Sequence, residues 1–218
     1  QIMMNVQYGR GFIYDRNMNE LASNIKVESV YVTPQEIKDK KKTALLLAKA
    51  LKMNERLIFK KISSKRSFAW VKRKVFPTEI ARLKRHSLSG VNFISEDKRF
   101  FPKRELASGV IGFAGIDNQG LAGIEHQYDA ALKGNIVKTV MKKDARGKLV
   151  QFSGEINGGA KENRGMVLAI DEVIQFFAEH HLSKQVKKYQ AKSGVAIVMN
   201  PNTGEVYAIA NMPQYNPN

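Results

Sequence analysis

A chain of 218 residues, 43% hydrophobic and 9% aromatic, is long enough to bury a core and too apolar for wholesale disorder. It has no cysteine, which removes disulfides, thiolate zinc sites and cysteine nucleophiles, and its four histidines argue against a dedicated metal site. The formal charge of +16 is uneven: residues 1–110 hold 24 Lys/Arg against 10 Asp/Glu and residues 111–218 hold 12 against 10, so a polyanionic partner stays in view although no nucleic-acid-reading motif accompanies it.

No apolar run approaches the ~18 residues that span a bilayer, and the first ten residues carry no signal-peptide pattern. The opening QIMMNVQYGR, without an initiator methionine, fits a piece of a longer protein. An extended stretch is expected over Gly11–Ile13. Thr33-Pro34-Gln35-Glu36 predicts a helix start, with Thr33 as cap, Pro34 in the first turn and Glu36 in a capping box. Helices are expected over Ala44–Lys52, Glu55–Ile62 and Thr78–Arg85, with Lys38–Lys42 as a solvated face or loop. Phe68–Val75 reads as a half-exposed strand, and Val91–Ile94 and Lys98–Phe101 as two short ones, the second stopped by Pro102. Leu106–Ile111 is a short helical or loop segment.

Gly112–Gly123 is punctuated by glycine, and Gly123–Leu132 predicts one short helix. Ile136–Lys142 and Leu149–Phe152 flank Arg146-Gly147, a tight-turn pair for a hairpin. Polar Ser153–Arg164 is the candidate linker. Beyond it, Val167–Ile170 reads as a strand and Asp171 as the cap of an amphipathic helix carrying Ile174, Phe177, Ala178, Leu182, Val186 and Tyr189. Val195–Met199 and Val206–Ala210 form a hairpin around Pro201-Asn202-Thr203-Gly204. Two domains are expected, residues 1–160 and 161–218.

Three stretches carry the chemistry of recognition: RGFIYDRNMNELA (Arg10–Ala22), RFFP (Arg99–Pro102) and IGFAGIDNQGLAGIE (Ile111–Glu125). Taken in order with the strand–helix–hairpin that follows, they resemble the N-terminal module of the class B penicillin-binding proteins. Two departures stand out: Met18 where the family usually has glycine, and Phe101 where it has tyrosine. The resemblance implies an α+β fold, with an elongated pedestal (dimerisation-like) domain followed by the first strand, helix and hairpin of a transpeptidase domain. Arginine keeps its charge and offers a fixed fork of donors. Arg10, Arg16 and Arg99 therefore suit carboxylate pairing, with Asp15 and Glu125 as available partners, and Gly120 and Gly123 permit close backbone approach. With Gly11 and Pro102, these residues form an expected structural network rather than a reacting site.

The chemistry of that family needs S-x-x-K, S-x-N and K-T-G, the serine accepting an acyl group while the lysine helps remove its proton. Only Ser23/Lys26 and Ser95/Lys98 fit S-x-x-K, neither opens a long apolar helix, and S-x-N and K-T-G are absent. No catalytic residue, cofactor or metal is assigned. Adjacent His180 and His181 diverge by ~100° on a helix and do not share a tetrahedral site. Glu125, Asp129, Asp171 and Glu172 are weighed as a glycosidase dyad and set aside, Asp171 being better explained as a cap.

The resemblance further implies a periplasmic or extracytoplasmic module of a septal enzyme, held to the inner membrane by an upstream helix and docking divisome proteins and a SEDS-family glycosyltransferase. The parent enzyme would cross-link peptidoglycan stem peptides through an acyl-serine. The basic half would lie near an anionic lipid surface. The competing class is a basic nucleic-acid-binding protein, disfavoured because the cations are not interleaved with stacking aromatics. Cut short, the last strands could leave edges that invite dimerisation.

Overall fold

Two contact-dense units organise the chain, one built from Gln1–Ile25 with Arg99–Asn218 and the other from Lys26–Lys98. The computed structural model describes residues 2–7, 9–133, 136–143, 149–152 and 165–218. The fold is α+β. In chain order the first unit opens with β1 (Ile2–Gln7) and β2 (Ile13–Tyr14), and β3 (Glu20–Val32) then carries the chain into the second unit.

The 26–98 unit is an antiparallel ribbon backed by helices. Asp39 caps α1 (Lys40–Leu51) by accepting from the Lys42 N–H, and Asn54 caps α2 (Glu55–Ile62) by accepting from the Arg56 N–H. β4 (Ala69–Val75), α3 (Pro77–Lys84) and β5 (Val91–Phe100) follow. β3 takes β4 on one side, Tyr31 opposite Trp70, and also pairs with β5. Val30, Val32, Leu47, Leu51, Ile58, Ile62, Val71 and Leu83 fill its core, each fully buried aliphatic side chain contributing about 1.5–3 kcal/mol.

Several expectations change here. Pro34–Glu36 is a single 3-10 turn and Thr33 makes no side-chain cap bond, so the helix starts at Asp39, the next residue able to cap. Lys40–Lys42 thereby become the exposed first turn of α1. The two short strands merge into one β5, because the acidic residues between them are neutralised in place: Arg73 Nη2 lies 2.5 Å from Glu96 and Lys26 Nζ lies 2.7 Å from Asp97.

Returning to the first unit, the chain forms α4 (Ser108–Ile111), α5 (Gly123–Gln127) and α6 (Asp129–Leu132). The single helix expected over 123–132 is broken at Tyr128. β6 (Ile136–Lys143) pairs antiparallel with both β1 and β7 (Leu149–Phe152). The Arg146-Gly147 turn and the Ser153–Arg164 linker, with its boundary at residue 160, lie outside the described residues. β8 is only Met166–Val167, shorter than expected, and runs parallel to β2.

Asp171 accepts from the N–H groups of Val173 and Ile174 to cap α7 (Glu172–Lys188), which precedes the hairpin of β9 (Gly194–Met199) and β10 (Val206–Met212). The hairpin turn closes with the Gly204 N–H on Asn200 O at 2.9 Å. A second core joins Ile13, Leu21, Ala22, Phe101, Ala107, Ile111 and Leu132.

Candidate functional site

The 111–132 segment wraps its glycines and short helices around one carboxylate, Glu125, which is fully buried. Two guanidiniums converge on it. Arg99 Nε donates to Oε1 at 2.6 Å and Arg10 Nε donates to Oε2. Arg10, only 1% exposed, also donates from Nη1 to Asn118 O at 2.9 Å and to Asp129 Oδ1 at 2.6 Å, and from Nη2 to Glu125 O at 2.6 Å. With Asp129 the cluster balances two positive against two negative charges, the condition under which buried ions are tolerable. Asn24 braces it from β3, donating to Arg10 O at 2.5 Å and accepting from Arg99 Nη1 at 3.5 Å.

The break at Tyr128 now has a reason. It lets Asp129 begin a new turn with its carboxylate on Arg10 and on the Gly120 N–H, 2.7 Å away. Burial pushes the Asp129 carboxyl up, but the Gly120 N–H and the Arg10 guanidinium outweigh it and leave it below its ordinary value. Burial lowers the Arg99 guanidinium, against the pull of Glu125 in the other direction. Gly120 is required for space, since a Cβ there would sit 1.9 Å from Glu125 O. Gly123 has φ +58° and would press a Cβ to 2.4 Å from Val110 O.

Arg10, Arg99, Glu125, Gly120 and Gly123 are thus brought together, and Gly11 adjoins them through its N–H on Leu132 O at 2.8 Å. Asp15 and Arg16 are not part of the cluster. Asp15 is buried and ties a turn, accepting from the N–H groups of Asn17 and Asn19 at 2.8 Å each, from Asn19 Nδ2 at 3.0 Å and from the Glu172 N–H at 3.2 Å. Burial raises its carboxyl, but these donors more than compensate and hold it below the usual range. The next residue, Arg16, points to solvent and lies over the Tyr207 ring at 4.3 Å, with Glu205 at 3.9 Å. Arg16 sits in the turn that follows β2 and is left outside the core. Pro102 is half-buried and ends the RFFP stretch.

A second set of contacts was not signalled by charge or spacing. Asn218 Oδ1 accepts from the Phe101 N–H at 3.0 Å while its Nδ2 donates to Phe101 O at 3.1 Å. Tyr215 Oη donates to Ser108 O at 2.8 Å, and burial raises its phenol. On α7, buried Gln175 accepts from the Ile209 N–H at 2.8 Å and donates to Ile209 O at 2.9 Å. Glu179, one turn on, accepts from Gln175 Nε2 at 2.6 Å and from the Ala107 N–H at 2.8 Å. No periodic pattern distinguishes such amides.

The weighed catalytic candidates fall elsewhere. Ser23/Lys26 lie within β3 and Ser95/Lys98 within β5, where a separation of three puts the two side chains on opposite faces. His180 and His181 stack on Phe176 and Phe177 at 5.9 and 6.4 Å. Glu172 pairs with Lys103 at 2.6 Å.

The model of the penicillin-binding protein dimerisation domain matches residues 6–168, which include the whole Glu125 cluster. The chain belongs to the dimerisation-domain family of penicillin-binding proteins. It is 33% identical over 211 residues to stage V sporulation protein D of Bacillus subtilis, covering 95% of this chain and 33% of that protein. It is 31% identical over 220 residues to the peptidoglycan D,D-transpeptidase FtsI of Escherichia coli, covering 98% and 37%, and 33% identical over 213 residues to the probable peptidoglycan D,D-transpeptidase PenA of Neisseria meningitidis.

The chain therefore spans about a third of the length of these curated relatives. The fold is shared with Penicillin Binding Protein 2X of Streptococcus thermophilus, at TM-score 0.63 and 20% identity over 99% of this chain and 36% of that one. A peptidoglycan synthetase of Bifidobacterium adolescentis aligns at TM-score 0.61 and 21% identity, over 99% and 45%. Nothing in these matches favours a nucleic-acid-binding reading.

Proposed function

We propose that these 218 residues are the non-catalytic positioning module of a longer peptidoglycan D,D-transpeptidase of the cell-division branch. The acyl-accepting serine would lie in a part of the protein outside this sequence, and the boundary between module and transpeptidase domain near residue 160. The observation that carries the reading is how the 165–218 stretch is fastened. Asn218 grips the backbone of Phe101, Tyr215 bonds Ser108 and Glu179 bonds Ala107. The motif-bearing part of the chain thus sets the place from which the hairpin and the Tyr215–Asn218 segment project. The Arg10–Glu125–Arg99 cluster supports that role by stiffening the same core.

A second feature agrees with it. β9 leaves Val195 64% and Ile197 62% exposed, and α7 separately leaves Val173, Phe176 and Phe177 exposed. Apolar faces of that size are normally covered, and further transpeptidase strands and helices are the natural cover. The module would work outside the cytoplasmic membrane, anchored by a preceding helix, and would dock divisome proteins and a SEDS-family glycosyltransferase. In isolation it would tend to dimerise through the uncovered strands.

A fluorescent penicillin separates the outcomes. The 218-residue chain is expected to remain unlabelled, while the full-length protein from the same gene takes one label per chain on a serine of an S-x-x-K helix. Stoichiometric labelling of the 218-residue chain, or a full-length protein that takes none, overturns the reading.

A further inference from the structure

The 26–98 unit carries 19 Lys/Arg against 7 Asp/Glu, and the excess is ordered along two helices. In α1 the buried positions Ala44, Leu47, Ala50 and Leu51 define the inner face. Lys41, Leu45 and Lys49, at i, i+4 and i+8, fall together on the opposite one, and Lys52 follows at the C-cap, all exposed. α1 contains no acidic residue. On α2, Ile58 and Ile62 point inward, leaving Arg56 and Lys60 outward one turn apart, flanked by exposed Leu57 and Phe59. The two helices pack against each other. Among the described residues, none of these lysines or Arg56 makes an ion pair; four of the unit's seven acidic groups are taken by Lys26, Lys72, Arg73 and Lys84, and Asp39 caps α1.

The charge is therefore uncompensated, and apolar groups stand among the cations: Leu45 is 55% and Leu57 59% exposed. Exposed cations alone would suit any polyanion. Large aliphatic and aromatic side chains set between them suit a bilayer interface, where headgroup phosphates take the lysines and the acyl boundary takes Leu and Phe. A soluble acidic chain would gain from the cations and leave the leucines wet. We propose that the outer faces of α1 and α2 form a docking surface for an anionic lipid bilayer.

Co-sedimentation of the full chain with phosphatidylcholine vesicles, with and without phosphatidylglycerol, tests this. Binding is expected to need phosphatidylglycerol and to weaken as salt rises. Lys41→Gln/Lys49→Gln/Lys60→Gln should lower partitioning about a hundredfold. Lys184→Gln/Lys187→Gln/Lys192→Gln removes the same charge from the other unit and should leave it within about threefold. Leu45→Gln/Leu57→Gln should weaken binding without changing its salt dependence. Equal binding to neutral vesicles overturns the proposal, as do equal losses in the two lysine triples. Salt-dependent capture by polyglutamate with no binding to phosphatidylglycerol vesicles would instead assign the surface to an acidic protein.

Discussion

The side-chain amide of Asn218 pairs with both the N–H and the C=O of Phe101, at 3.0 and 3.1 Å, across 117 positions of sequence. One side chain here does what a neighbouring strand would do, satisfying the donor and the acceptor of a buried residue. Asn218→Ala should cost about 2 kcal/mol, since both backbone groups lose a partner that is not readily replaced. Hydrogen exchange at the Phe101 amide should quicken in step. Asn218→Asp keeps the acceptor, loses the donor and should fall between the two.

Removing Glu125 would leave two guanidiniums in the core facing one another. Glu125→Gln should destabilise by about 3–5 kcal/mol, lowering the melting temperature by roughly 10 °C. Arg10→Ala should be comparably severe. The Arg10→Ala/Glu125→Ala double variant should cost less than the two single changes added together, because the residues share one interaction. Strict additivity in chemical denaturation would mean that the pair is not coupled.

Gln175 presents the same kind of test on α7. Gln175→Leu preserves bulk but strands the Ile209 N–H and C=O, at about 2–3 kcal/mol. Gln175→Glu keeps the acceptor for the Ile209 N–H but sets a second carboxylate against Glu179 and Ile209 O, so it should cost at least as much at neutral pH. Urea unfolding of the three proteins side by side reads the difference.

Acid should weaken the fold through Asp15 and Asp129, whose carboxyls sit below their ordinary values when folded. The stability each provides is complete above the unfolded-state value near 4 and drains away as pH drops through the lower folded one. Asp15→Asn should flatten the decline in melting temperature below about pH 4 and leave the neutral-pH slope untouched.

Motif-bearing residues were the most legible part of this chain. Arg10, Arg99 and Glu125 could be grouped from charge, motif order and family resemblance, because a buried ion cluster needs charged residues in otherwise apolar surroundings. Arg16 could not be separated from Arg10 in that way: both are arginines of the same motif, and what sets them apart is that Arg16 falls in the turn after β2, beside Tyr207, a partner far away in sequence. β3 escaped notice because Glu20–Val32 mixes polar and apolar positions without a clean period of two. The gap between Val91–Ile94 and Lys98–Phe101 looked real for a similar reason, as the neutralising partners of Glu96 and Asp97 lie far away in sequence. Helices with an intact local signal fared better: Glu55–Ile62 runs as read, and Asp171 caps α7 as its chemistry demands.

The chain leaves the Glu125-bearing unit through β3 and re-enters it through β5, two strands that pair with each other, and the ion pair of Lys26 with Asp97 marks where they run side by side. Residues 26–98 are accordingly a cassette spliced into a hairpin stem. Such an insert can be lengthened, trimmed or exchanged between relatives while the stem and the anchoring carboxylate stay unaltered, leaving evolution free to rewrite this surface without disturbing the framework that carries it.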